Sequence, residues 1–198
     1  MKKTLSLVLA LILCLSFTAC SGPNAEMTEE NITETVATVE TALKEFDTEA
    51  LDKYVDSATL SVIIKYADEH EQFSQLGKAI FENLELEVKE IDIDNKTVTV
   101  TVKNKDLSEA TSEFAEKLQS NYSNFALLKK LNDDAFLDEK LTELQDKINA
   151  CQMMDSGVDI VLNIEQDSKN LVLSFDENAE DTVSGGALSA IKSIYGIA

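Results

Sequence analysis

Residues 84–104, LELEVKEIDIDNKTVTVTVKN, constrain this chain more than any other stretch. Two runs of alternating apolar and polar residues flank a short polar segment, Asp94-Asn95-Lys96-Thr97, the pattern of a β-hairpin with one buried face. The alternation changes phase once. Leu84, Leu86 and Val88 are apolar at even positions, whereas Ile91 and Ile93 continue at odd ones. Side chains along a strand alternate faces, so one extra residue near Lys89-Glu90 is needed to keep them all on one side. The spacing predicts a β-bulge there, with Ile93 facing Val98, Ile91 facing Val100 and Val88 facing Val102. A second hairpin is predicted from residues 158–165 and 171–175, joined by Gln166-Asp167-Ser168-Lys169-Asn170.

A sheet with one apolar face needs a cover, and the rest of the chain supplies helical patterns. Ile32, Val36, Val39, Leu43 and Phe46 recur at steps of four and three, with Thr28 as N-cap and Glu29 and Glu30 in the first turn. Asp47 is placed to cap a short helix carrying Leu51, Tyr54 and Val55. Asp56 or Ser57 then opens a helix through Leu60, Ile63, Ile64 and Ala67, and residues 73–81 add one or two further turns. Beyond the first hairpin, Asp106 and Glu109 match a capping box. Leu107, Ala110, Phe114, Leu118, Tyr122 and Phe125 then mark one helix face, and Asn132-Asp133-Asp134 interrupts it. Leu137, Leu141, Leu144 and Ile148 mark the next helix, with Cys151 on the same stripe, read as a small buried apolar residue. Val183, Ala187, Ile191 and Ile194 predict a C-terminal helix that starts after Gly185-Gly186 with Ser184 as its cap. The fold class is α+β: an antiparallel sheet of two hairpins, about 84–104 and 157–176, against N-terminal, central and C-terminal helices.

The first residues read as an address. Lys2 and Lys3 precede an apolar run at 5–15, too short for a membrane-spanning helix, and Phe17-Thr18-Ala19-Cys20 follows. This ending resembles the lipobox of bacterial lipoproteins, which implies a signal peptide at 1–19 and lipidation of Cys20. Residues 20–26 then form a tether and 27–198 a single α+β domain. With Cys14 removed and Cys20 acylated, Cys151 has no cysteine left to pair with in the exported domain.

Charge narrows the partners. The chain carries 37 acidic residues against 17 basic ones, every one of them lysine, for a net charge of −20. Such a chain is a poor binder of phosphate backbones, so no nucleic acid is expected. Anionic headgroups would repel it as well, which leaves the acyl chains at Cys20 to hold the membrane.

Catalytic and metal signals are weak. His70, the single histidine, sits among acids in Asp68-Glu69-His70-Glu71 with no nucleophile motif beside it. Glu90, Asp92 and Asp94 alternate along the first strand and could offer oxygens to a hard cation. They lack the glycine and the later glutamate of a calcium loop, and they read better as a solvated strand face. No catalytic residue, metal ligand or cofactor is assigned.

Ala42-Leu43-Lys44-Glu45-Phe46-Asp47, Leu51-Asp52-Lys53-Tyr54-Val55 and the NLELEVKEIDIDNKTVTVTVKNKDL segment together resemble small lipoproteins of unknown function from Gram-positive, low-GC bacteria. The resemblance implies a nuclear-transport-factor-2-like or cystatin-like domain, a helix cradled by an antiparallel sheet, on the outer face of the cell membrane. The expected function is a non-enzymatic binding module for a small ligand or an envelope protein. The rivals are a pocket-based enzyme and a divalent-cation-binding domain on the same fold.

Overall fold

The computed structural model describes residues 25–67 and 71–189. The predicted signal peptide, Cys20, most of the tether, His70 and the C-terminal helix from residue 190 onward lie outside the described residues. In chain order the elements are α1 (Glu29–Glu45), α2 (Thr48–Tyr54), β1 (Val55–Asp56), α3 (Ala58–Ala67), α4 (Glu71–Phe81), β2 (Glu85–Asp92) and β3 (Thr97–Lys103). They continue with α5 (Ser108–Asn121), α6 (Asn124–Leu131), α7 (Asp134–Ala150), β4 (Val158–Gln166), β5 (Leu171–Ser174) and α8 (Glu177–Val183). The fold is α+β, with both predicted hairpins present.

The hairpins join through a β3–β4 pairing into one sheet of order β1-β5-β4-β3-β2. It is antiparallel except at one edge, where β1 runs parallel to β5. The sequence pattern puts Val55 in the preceding helix and offers Asp56 as a cap for the next. They form this strand instead, because α2 ends at Tyr54 and Val55 turns its side chain into the core beside Leu173.

The bulge is where the phase slip put it, between Val88 and Glu90. The register differs from expectation by two residues: Ile91 faces Val98, Val88 faces Val100 and Leu86 faces Val102. The turn is the cause. Asp92 closes the ladder against Thr97 and accepts hydrogen bonds from the Asn95 N–H (2.9 Å) and Nδ2 (2.7 Å). Lys96 takes a left-handed conformation (φ 55°), and Ile93 is left in an exposed turn. A two-residue shift changes partners without changing faces, so the apolar set stays inward.

On that inner face Val98, Val100, Val102, Leu162, Leu171 and Leu173 are fully buried beneath Ile32, Val36, Val39 and Leu43 of α1. Thr28 caps α1 through its Oγ1 and Asp47 caps α2 through its carboxylate, as the sequence predicts. Ser57, not Asp56, caps α3, accepting the Leu60 N–H at 3.0 Å.

The helical side departs more. The apolar face that continues through Tyr122 to Phe125 does not belong to one helix: α5 stops at Asn121, and Ser123 caps α6. Phe125 is consequently exposed. The Asp106–Glu109 capping box does not form. Leu107 occupies the cap position, its N–H donating to the Gly185 carbonyl at 2.8 Å, while Asp106 accepts from Ser108 Oγ (2.6 Å) and N–H (3.2 Å). Ser184 is likewise not an N-cap: it ends α8, which Asp176 opens. Gly185 then turns left-handed (φ 66°) where any Cβ would strike the Lys105 carbonyl, and helical structure resumes at Ala187. Asp181 caps this second piece, accepting the Ser189 N–H at 2.6 Å.

Candidate functional site

Helices α4, α5 and α7 each carry one apolar stripe, and the three stripes face one another beside the sheet. They are Phe73, Leu76 and Ile80 on α4; Phe114, Ala115 and Leu118 on α5; and Leu137, Leu141, Leu144 and Ile148 on α7. These residues form one apolar cluster that lines a cavity of about 850 Å³, which α3 borders with Leu60 and Ile63. Gly77 lets α4 lie directly on the Phe46 ring, where a side chain would collide, and so sets one wall.

Few polar groups reach the lining, and most are committed. Glu180 of α8 accepts hydrogen bonds from Ser57 Oγ (2.5 Å), the Thr59 N–H (3.0 Å) and Thr59 Oγ1 (2.5 Å), fastening α8 to the start of α3. Thr111 donates its hydroxyl to the Leu107 carbonyl at 2.7 Å. Among the described lining residues Asn132 and Asp134, at the corner between α6 and α7, stand exposed, and Ile63, Phe73, Leu137 and Leu188 are half-buried. Lys130, the nearest cation in sequence, lies over the rings of Tyr122 (5.3 Å) and Phe136 (5.1 Å).

Ion pairs hold α5 against α7: Lys117 bonds Glu143 and Lys147 reaches Glu113 at 3.3 Å, while Lys140 of α7 braces Glu143 from its own helix at 3.0 Å. Hydrogen bonds from Lys117 and then Lys140 hold the Glu143 carboxyl below its ordinary value of 4.5. Its neighbours Glu139 and Glu143 raise Lys140.

The residues singled out from sequence do not converge on this site. Glu90 is exposed, and Asp92 spends its carboxylate on the Asn95 turn, which lowers its pKa. No group of three metal-ligating His, Cys, Asp or Glu side chains occurs among the described residues. Cys151 caps the C-terminus of α7, half-buried, with its thiol 3.4 Å from the Lys147 carbonyl. Burial pushes that thiol's pKa up, so at neutral pH it is protonated and a poor nucleophile. Sequence reasoning missed the cavity itself. Its lining stripes were visible, but stripes that meet and stripes that stand apart look alike in sequence.

No family model matches the chain, and no curated protein matches it. Among solved structures it is similar to a protein from Bacillus subtilis subsp. subtilis str. 168 assigned as a lipoprotein, at 11% identity and a TM-score of 0.38. The alignment covers 80% of this chain, which spans 59% of the length of that one. A likeness that faint carries no argument about this chain's activity. Among the described residues no helix is long and apolar enough to cross a membrane.

Proposed function

We propose that the chain is a lipoprotein anchored through Cys20 to the outer face of a cell membrane, and that it binds an apolar ligand without chemically changing it. The cavity between α4, α5 and α7 carries this reading. Protein interiors are close-packed, and voids larger than a water are few. An apolar chamber of about 850 Å³ that opens to solvent leaves its walls against water when no guest is bound. A lining of leucine, isoleucine and phenylalanine gives ordered water few partners but favours an apolar guest, at about 0.8 kcal/mol per buried CH₂. The size suits a small-molecule ligand.

Support for the anchor is the charged start, the short apolar run and the Phe17-Thr18-Ala19-Cys20 ending. Helix α1 lying across an antiparallel sheet supports the cystatin-like or nuclear-transport-factor-2-like reading of that half. Glu180 and Thr111, the polar groups set deepest among the apolar walls, are already bonded, which favours binding over the rival enzyme.

Two measurements test the proposal. Intact mass from native membranes should match residues 20–198 plus acyl chains, and a Cys20→Ala form should lack them. Full-length protein should take up the uncharged dye Nile red saturably, one per chain. A free, unacylated mass in the medium would overturn the anchor, and absence of dye uptake would overturn the binding reading.

A further inference from the structure

Resting on that reading, we infer that the cavity takes a long-chain amphiphile whose head carries no negative charge. The apolar body follows from the walls, where stripes from three helices present leucine, isoleucine and phenylalanine. A ligand that is polar along its length would need partners inside. Glu180 has both oxygens engaged, by Ser57 and Thr59, and the Thr111 hydroxyl is already donated to Leu107. Buried polar groups of a guest would therefore go unpaired, the strongest source of rejection a site has.

The head follows from the exposed part of the lining. Among the described lining residues Asn132 and Asp134 are the exposed ones, which assigns the polar end of a bound chain to their corner. Among the described lining residues the charged groups are Asp134 and Glu180, both carboxylates, in a chain of net charge −20. Of the lysines on α6, Lys130 lies over Tyr122 and Phe136, while Lys129 is exposed at the same corner as Asp133. A head of neutral charge meets a carboxylate able to accept a hydrogen bond. An anionic head meets Asp134 first.

The test is competition on the full-length protein. Nile red is bound first, then displaced by a monoacylglycerol or by the fatty acid of the same chain length, at neutral pH and low salt. The monoacylglycerol should displace the dye at a concentration about fivefold or more below that of the fatty acid, the factor expected for one like charge held several ångströms away in a watery mouth. Asp134→Lys should narrow or reverse the order, each displacement being read against the dye affinity of that same variant. Equal displacement by both, or an order unaffected by Asp134→Lys, overturns the ligand class and leaves the binding reading standing. Displacement by neither, with the dye bound, means that only compact apolar molecules enter and also overturns the inference.

Discussion

The two apolar clusters of this molecule are built from similar residues and end up differently packed. Against the sheet, β-branched residues of β3 and β4 stand in register and α1 lies directly on them, leaving Ile32, Val98, Leu162 and Leu173 with essentially no exposure. Between the helices, Leu76, Phe114, Leu118, Leu141 and Leu144 each keep a little exposure because they face a cavity. Ile80 packs against both clusters and marks the seam. Strand spacing is set by hydrogen bonds, so a sheet cannot hold its side chains apart. Helix spacing is set by whichever side chains touch, and here α4 leans on Phe46 and α7 while α5 is clasped from outside by lysine–glutamate pairs.

The contrast breaks most sharply under truncation. Leu162→Ala, in the dense cluster, should cost about 4 kcal/mol by urea unfolding, whereas Leu141→Ala, which merely enlarges an existing cavity, should cost about 2 kcal/mol. Equal losses would mean that the helical side is as tightly packed as the sheet.

Next in size is the seam. Asn104 is fully buried, and its Nδ2 donates to the carbonyls of Ile80 (3.0 Å) and Val183 (2.9 Å) while its Oδ1 accepts the Lys105 N–H at 2.8 Å. Asn104→Ala strands these groups and should cost about 3 kcal/mol in the same assay.

A smaller effect of opposite sign is expected at Tyr54. Its ring is buried in the sheet-side cluster, but its hydroxyl has no hydrogen-bond partner among the described residues. Tyr54→Phe should be neutral or stabilising by about 1 kcal/mol, read as a raised melting temperature. A clear loss would reveal a partner for that hydroxyl.

The smallest effect is acid loosening of the clasp. Glu143 is held below its ordinary 4.5, so its contribution is complete above that value and disappears as pH falls through the lowered one. Amide exchange in α5 and α7 should therefore quicken as pH falls below 4.5 relative to β3, after correction for intrinsic rates, and Glu143→Gln should remove the difference.

Much of the fold was legible because the code was local. The bulge followed from one phase slip between Val88 and Ile91, and the caps at Thr28 and Asp47 from single residues before helical stripes. Two features depended on distant contacts and were not legible. Asp106 fits a capping box, yet Leu107 is drawn to the Gly185 carbonyl, from a part of the chain nearly eighty residues away. The two-residue β1 strand exists only because β5 arrives beside it. The cavity is a third case: the residues of its wall were read correctly as helix faces, but the distance between faces is a tertiary quantity.

The account rests on the helical side being a ligand chamber, and Leu141→Trp tests that most directly. The chain has no tryptophan of its own, so the new indole reports on the chamber alone. Placed in open space it should leave the melting temperature nearly unchanged, emit as a buried indole and abolish Nile red uptake. A variant that unfolds, or one that folds and still binds the dye as the parent does, would contradict the account.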